Sequence, residues 1–332
     1  MSPAHPGHHR DVPRVAIACQ GGGSQTAFTA GVLRPLLRAP EVEPVAFTGT
    51  SGGAICALLA WYGWRTGGRR RAVELLEGFW RDNEARTPLD AVTNVVGVGL
   101  LRLRDLGLLP LPAFDPYRFP EIARTQLQDL LERWVDFGLL AALPRDEGPV
   151  LQIGAVEVRS GAFRRFDSRR GEITVDTVLA SAAIPTLFRA VDTGDGVYWD
   201  GVFSENPPVR DLPALAPDAL WIVQLFPQRI DAEPRTPGAI ADRRAELTAN
   251  LSLEQEIDAI QKINEFVRAG YLDGAGYREV GIERIQLDRR LDSASAADRS
   301  PAFLQGLIAD GVQAGEAFLA RSVPAAVRAT RT

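Results

Sequence analysis

The fold is decided between residues 14 and 64: Arg14-Val15-Ala16-Ile17-Ala18-Cys19 runs into Gln20-Gly21-Gly22-Gly23, and Val45-Ala46-Phe47 runs through Gly49-Thr50-Ser51-Gly52-Gly53 into an apolar stretch ending at Trp64. The first run is apolar and of strand length and stops at glycines. Residues 24–38 then carry Phe28, Val32, Leu36 and Leu37 on one helical face. Pro40 and Pro44 punctuate the return to a second short strand, and residues 54–64 form a second apolar helix. Strand, glycine turn, helix, repeated once, is a βαβα unit, and such units build parallel sheets covered by helices.

Working outward, residues 69–86 have helical spacing, and residues 89–112 mix Val, Leu and Gly with few charges before a proline-rich stretch. The second segment reads as a mobile or surface-lying cap. Residues 150–166 alternate as strands around Ser160-Gly161, residues 177–183 form a small-residue helix, and residues 196–199 form a short strand ending at Asp200-Gly201. A strand over 220–226 follows, then a long helix over 240–267 with Leu253, Ile257, Ile260, Ile263 and Val267 on one face, a late strand over 282–287 and a final helix over 302–319. Neither repeat nor linker divides the chain. The organisation expected is a flexible arm over 1–12, a main α/β domain over 13–230 with a cap near 87–120, and a helical C-terminal extension over 231–332 packed on the same domain.

The 332 residues are 45% hydrophobic and 24% charged, with a net charge of -5, which excludes disordered and collagen-like classes. That charge supplies no field to hold a nucleic-acid backbone, so no nucleic-acid partner is expected. Cys19 and Cys56 sit among apolar residues and read as buried, reduced thiols. The first ten residues hold no apolar h-region, and the first hydrophobic run stops at strand length. A cytoplasmic protein without leader or membrane span is the expectation.

Gly49-Thr50-Ser51-Gly52-Gly53 fits the G-x-S-x-G nucleophile elbow, in which Gly49 and Gly53 permit a tight strand-to-helix turn that lifts Ser51 out of the sheet. The plainer reading is a small-residue helix entry. A Ser-His-Asp triad needs an imidazole, but His5, His8 and His9 all precede the first strand. They lie before its N-terminal end, about 17 Å of strand from the glycine turn. A nucleophilic Ser51 therefore needs a carboxylate or another non-histidine base. Gly21, Gly22 and Gly23 offer main-chain N–H groups at a helix start, an anion cradle. It is no Walker A loop, since no lysine follows, and no dinucleotide fingerprint, since Thr26 stands where the last glycine belongs. An oxyanion hole facing Ser51 and a plain glycine turn both remain open, as does an Asp-Gly turn at Asp200-Gly201.

Taken in order and spacing, Gly21-Gly22-Gly23, the Ser51 elbow, the stretch Ala180-Ser181-Ala182-Ala183-Ile184-Pro185 and Asp200-Gly201 resemble the patatin-like phospholipase family across residues 15–208. The resemblance implies a three-layer α/β/α fold around a mainly parallel sheet and hydrolysis of lipid acyl esters without metal or cofactor. It makes Ser51 the nucleophile, Asp200 the general base and the amides of Gly21, Gly22 and Gly23 the oxyanion hole. Desolvation beside Trp199 and Phe203 is expected to raise the Asp200 pKa. The chain departs from the family at Gln25 and Thr26, where Arg or Lys and then Gly are usual, and at Val202, where Gly or Ala follows Asp-Gly. These departures bear on head-group preference. The partner implied is a lipid or ester substrate, with transient membrane-surface contact if the cap opens on lipid. The alternatives are a catalytically silent lipid- or nucleotide-binding protein of the same fold and an esterase for non-lipid or polymeric esters.

Overall fold

The structure, a computed structural model, describes residues 12–105, 116–118, 121–185, 187–272 and 276–322. The decisive stretch folds as its pattern requires: β1 (Arg14–Cys19), α1 (Ala27–Arg38), β2 (Glu43–Thr50) and α2 (Gly52–Asp82). α2 is broken at Gly67 and Gly68, which leave helical geometry, so the two helical patterns on either side remain distinct. Of the cap segment, Pro88 to Asp105 forms α3, whereas residues 106–115 and 119–120 lie outside the described residues, as do all three histidines. Next come α4 (Ile122–Trp134), α5 (Phe137–Ala142), the hairpin β3 (Val150–Glu157) and β4 (Phe163–Asp167), α6 (Val175–Ser181), β5 (Val191–Asp192) and β6 (Val197–Asp200). β7 (Ala219–Gln224), α7 (Pro237–Arg268), β8 (Gly281–Gln286) and α8 (Pro301–Ser322) complete the described chain.

The sheet runs β5-β6-β3-β2-β1-β7-β8, with β4 also paired to β3. The pairs among β3, β2, β1, β7 and β8 are parallel, whereas β4 and β6 pair with β3 antiparallel. Residues of β1 alternate between faces, as strand geometry demands. Val15, Ile17 and Cys19 join a core with residues of α1, α2, α4, α6 and α8, while Ala16 and Ala18 join Leu253, Ile257 and Ile260 of α7. Helices therefore cover both faces, giving three α/β/α layers around a mainly parallel sheet. Cys19 and Cys56 are buried and free, and burial pushes both thiols up.

The last hundred residues enter the sheet as well as cover it. β8 extends the sheet beyond β7, and α8 crosses α1 at backbone contact, where a Cβ on Gly311 would lie 2.1 Å from the Phe28 carbonyl oxygen. α3 buries Val98 but otherwise departs from an ordinary surface helix. Its polar Asn94 bonds Asp298 and the Arg299 N–H, and Asp90 pairs with Arg299, whereas Leu89, Val92, Val96, Leu100 and Leu103 form an outward stripe, Leu89 being 79% exposed.

Candidate active site

β2 ends where α2 begins, and Ser51 occupies the corner with φ 55° and ψ -130°. This is a left-handed φ that a residue with a Cβ adopts only when its surroundings hold it there. The flanking glycines make the corner possible: a Cβ on Gly49 would lie 2.4 Å from the Gly53 carbonyl oxygen. The Ser51 N–H donates to Ser181 Oγ at 3.0 Å, and the Ser181 hydroxyl donates to the Gly154 carbonyl at 2.6 Å, so α6 and β3 together brace the corner.

The glycine loop reaches the same point from β1. A Cβ on Gly21 would sit 2.6 Å from the Thr50 carbonyl oxygen and 3.0 Å from Ser51 Cβ, so only glycine allows the two loops to meet. The Gly21 N–H donates to Asn206 Oδ1 at 2.7 Å. Of the three glycine amides expected as oxyanion donors, this one is already engaged. Gln25 and Thr26, the irregular positions, tie the loop down without charge. Gln25 Nε2 donates to Ser295 Oγ (2.9 Å) and to the Asp292 carbonyl (3.1 Å), and Thr26 Oγ1 donates to the Gly23 carbonyl (2.6 Å).

Asp200 ends β6 and is 0% exposed. Its Oδ1 accepts from the Val202 N–H at 2.8 Å, while Oδ2 is buried without a hydrogen-bond partner among the described residues. Burial pushes this carboxyl up to about 7, against the opposing pull of the Val202 N–H and the Ser51 hydroxyl. The rise is in the expected direction. Phe203, expected to help bury it, is 52% exposed, and the adjoining Gly201 is packed against Gly154 and Thr50. Ser51 itself is 5% exposed. Two cavities lie away from this corner: one is walled by Trp61, Leu140 and Ile173, and a groove of about 680 Å³ lies between Arg34, Glu77 and Gln305.

Sequence reasoning missed the residues that arrive from a distance. Asn206 also donates through Nδ2 to the Ala249 carbonyl of α7. Gln20 accepts from the Leu225 N–H and donates to Asn250 Oδ1, fixing the loop's root to β7 and α7. Asn206 stands in the Asn-Pro-Pro run after Asp200 and Ser181 in the small-residue helix, so both were visible, but neither pattern names its partner.

The mainly parallel α/β/α sandwich thus carries a strained serine corner, a glycine loop and a buried acid. The sequence profile of the patatin-like phospholipase family matches residues 17–213, and the chain belongs to that family. It is similar to the uncharacterized protein YjjU of Escherichia coli, at 25% identity over 67% of this chain and 55% of that protein. The chain thus spans about half the length of this curated relative. Among solved structures it is similar to VipD from Legionella pneumophila (13% identity, 94% of this chain and 67% of that chain, TM-score 0.46). It is also similar to the type III effector protein ExoU (15% identity, 94% and 54%, TM-score 0.37).

Proposed function

We propose that the protein is a serine hydrolase that cleaves carboxylic esters of lipids through a Ser51–Asp200 dyad. What supports this reading is the pairing of a strained, braced serine with a buried carboxyl, pushed up to about 7, whose second oxygen has no other partner among the described residues. A base whose pKa lies close to working pH is populated in its ionised form and still strong enough to take a hydroxyl proton.

Asp200 Oδ2 takes the Ser51 proton as Ser51 Oγ attacks the ester carbonyl carbon. The tetrahedral oxyanion lies against the Gly22 and Gly23 amides, where each donor contributes roughly 10²–10³ in rate. Collapse breaks the bond to the leaving alcohol, which receives the proton from Asp200. Water then gives its proton to Asp200 and attacks the acyl-enzyme, and release of the carboxylic acid returns the proton to Ser51.

Membership of the family favours a lipid substrate, and so does α3. A helix that turns Val and Leu outward and Asn and Asp inward suits a lipid surface better than water. No described helix is long and apolar enough to cross a membrane, so contact through α3 would be peripheral.

Fluorophosphonate labelling tests the mechanism. The wild-type chain should be labelled and hydrolyse a medium-chain p-nitrophenyl ester, and Ser51→Ala should do neither. An unlabelled wild type would favour the silent binding reading, and turnover of short soluble esters alone would favour the non-lipid esterase. Liposome flotation tests the surface: Val92→Asp with Val96→Asp should lose flotation while keeping soluble-ester turnover.

A further inference from the structure

Behind the dyad lies a second acidic pair that the mechanism above does not use. Glu205, five residues after Asp200, is 1% exposed, and Glu256 of α7 is 2% exposed. Their side chains are within hydrogen-bonding reach of each other. Glu256 Oε2 accepts from the N–H groups of Val209 (2.6 Å) and Arg210 (2.8 Å). Glu256 Oε1 and Glu205 Oε2 are buried with no hydrogen-bond partner among the described residues, although Arg165 Nε forms an ion pair with the latter at 3.2 Å. Two ionised carboxylates side by side out of water can only accept, so the oxygens they turn to each other would be left without a donor and like-charged. One proton removes both problems: it gives the pair a donor and cancels one charge.

The place of this pair gives it a role. The Glu205 carbonyl accepts from the Thr50 hydroxyl at 2.6 Å, directly before Ser51. The next residue, Asn206, holds the Gly21 N–H, and the Pro208 carbonyl accepts from Thr48 Oγ1 at 2.8 Å. The 205–210 loop therefore touches the strand before Ser51 on one side and the glycine loop on another, and Glu256 is one of its links to α7, beside the contacts of Asn206 with Ala249 and Ser252.

We propose that Glu205 and Glu256 share a single proton between their facing oxygens, and that this clamp is a positioning device that holds the 205–210 loop, and with it the glycine loop and the Ser51 corner, in register. The groups facing the pair are Arg165 from β4, Arg210 from the loop and the two main-chain N–H groups. Burial, and then the Glu256 charge and hydrogen bond, hold Glu205 well above the usual carboxylate range, more than Arg165 and Arg210 pull it down. The effect on rate rests on Ser51 being the nucleophile; the shared proton does not.

Infrared spectra of the full chain carrying carboxyl-¹³C glutamate test the proton directly and exclude Asp200 from the signal. A protonated glutamate band is expected at neutral pH and should vanish in Glu256→Gln and in Glu205→Gln, whose amide N–H replaces the proton. Absence of the band, or its persistence in either variant, would overturn the sharing. The role is read from turnover: Glu256→Ala should lower kcat by about 10²-fold with little change in KM, as expected for misplaced reacting groups, and Glu256→Gln should recover most of that loss. An unchanged kcat in Glu256→Ala, or no recovery in Glu256→Gln, would overturn the positioning role. If Glu256→Ala fails to fold, the rate and melting temperature of Glu256→Gln beside those of Glu256→Leu decide it. If Ser51→Ala still turns over ester, the dyad fails while the infrared result stands.

Discussion

Two aspartates of this fold occupy nearly the same structural position with opposite outcomes. Asp167 ends β4 and Asp200 ends β6. Both strands pair antiparallel with β3, and both residues cap a short 3-10 turn by accepting the N–H two residues on, at 2.8 Å. Around Asp167, burial pushes upward, but the Arg169 guanidinium and N–H and the Gln152 amide outweigh it and hold the carboxyl below its ordinary value. Around Asp200 no cation among the described residues offsets the burial, and Oδ2 has no hydrogen-bond partner among them. The strand end and the cap are common to both, and the partner on the second oxygen decides whether the carboxyl is held below its ordinary value or pushed above it.

The strongest way to break the comparison is Asp200→Asn, which keeps the cap acceptor and removes the proposed base. Ester turnover should fall by about 10²–10⁴-fold, the range of general-base catalysis. In the wild type the rate should rise about tenfold per pH unit below about 7 and level above it, because the ionised form is the active one. The stability sign is the reverse. A carboxyl raised from 3.8 to about 7 stabilises the fold when protonated, and that contribution is complete below the unfolded value and lost as pH rises through about 7. Chemical denaturation should therefore find Asp200→Asn more stable than wild type at pH 8, by up to about 4 kcal/mol for a three-unit shift, with the gap closing toward pH 4.

A smaller effect is expected on the other side. Arg169→Ala strips Asp167 of its cation, and with the Arg169 side chain 44% exposed the loss of stability should be only about 1 kcal/mol at neutral pH. Because the Asp167 carboxyl is depressed, that loss should fade as pH falls through its titration, and ester turnover should stay unchanged. The smallest effect sharpens the case for the dyad: a chain lacking residues 2–10, and so every histidine, should keep its turnover. Loss of activity there would bring an imidazole into the mechanism.

The βαβα start, the elbow and the buried acid were legible because each is written in local sequence: strand-length apolar runs, glycines at turns, an acid at a strand end. The helix expected over 240–267 and the strand over 282–287 appear as α7 and β8 for the same reason. α4 and α5 carried no such pattern. They lie half-exposed over the core, and within α4 only Leu131 is fully covered. β5 is two residues long and exists through its pairing with β6. The supports of the site were illegible because they are distant: Asn206 meets an amide 185 positions away, and Ser181 meets one 130 positions away. That Gly21's amide is taken by Asn206 could not be read from a run of three glycines.

The crossing of α8 over α1 bears on how the chain could be cut. The family profile ends at residue 213, ahead of β7, α7, β8 and α8. A fragment trimmed there would bare the open side of β1, a row of unpaired main-chain groups that templates aggregation, and uncover the Phe28 turn where α8 now rests. The smallest excisable unit is therefore much longer than the recognisable motif block, and attempts to express the motif block alone should yield inclusion bodies.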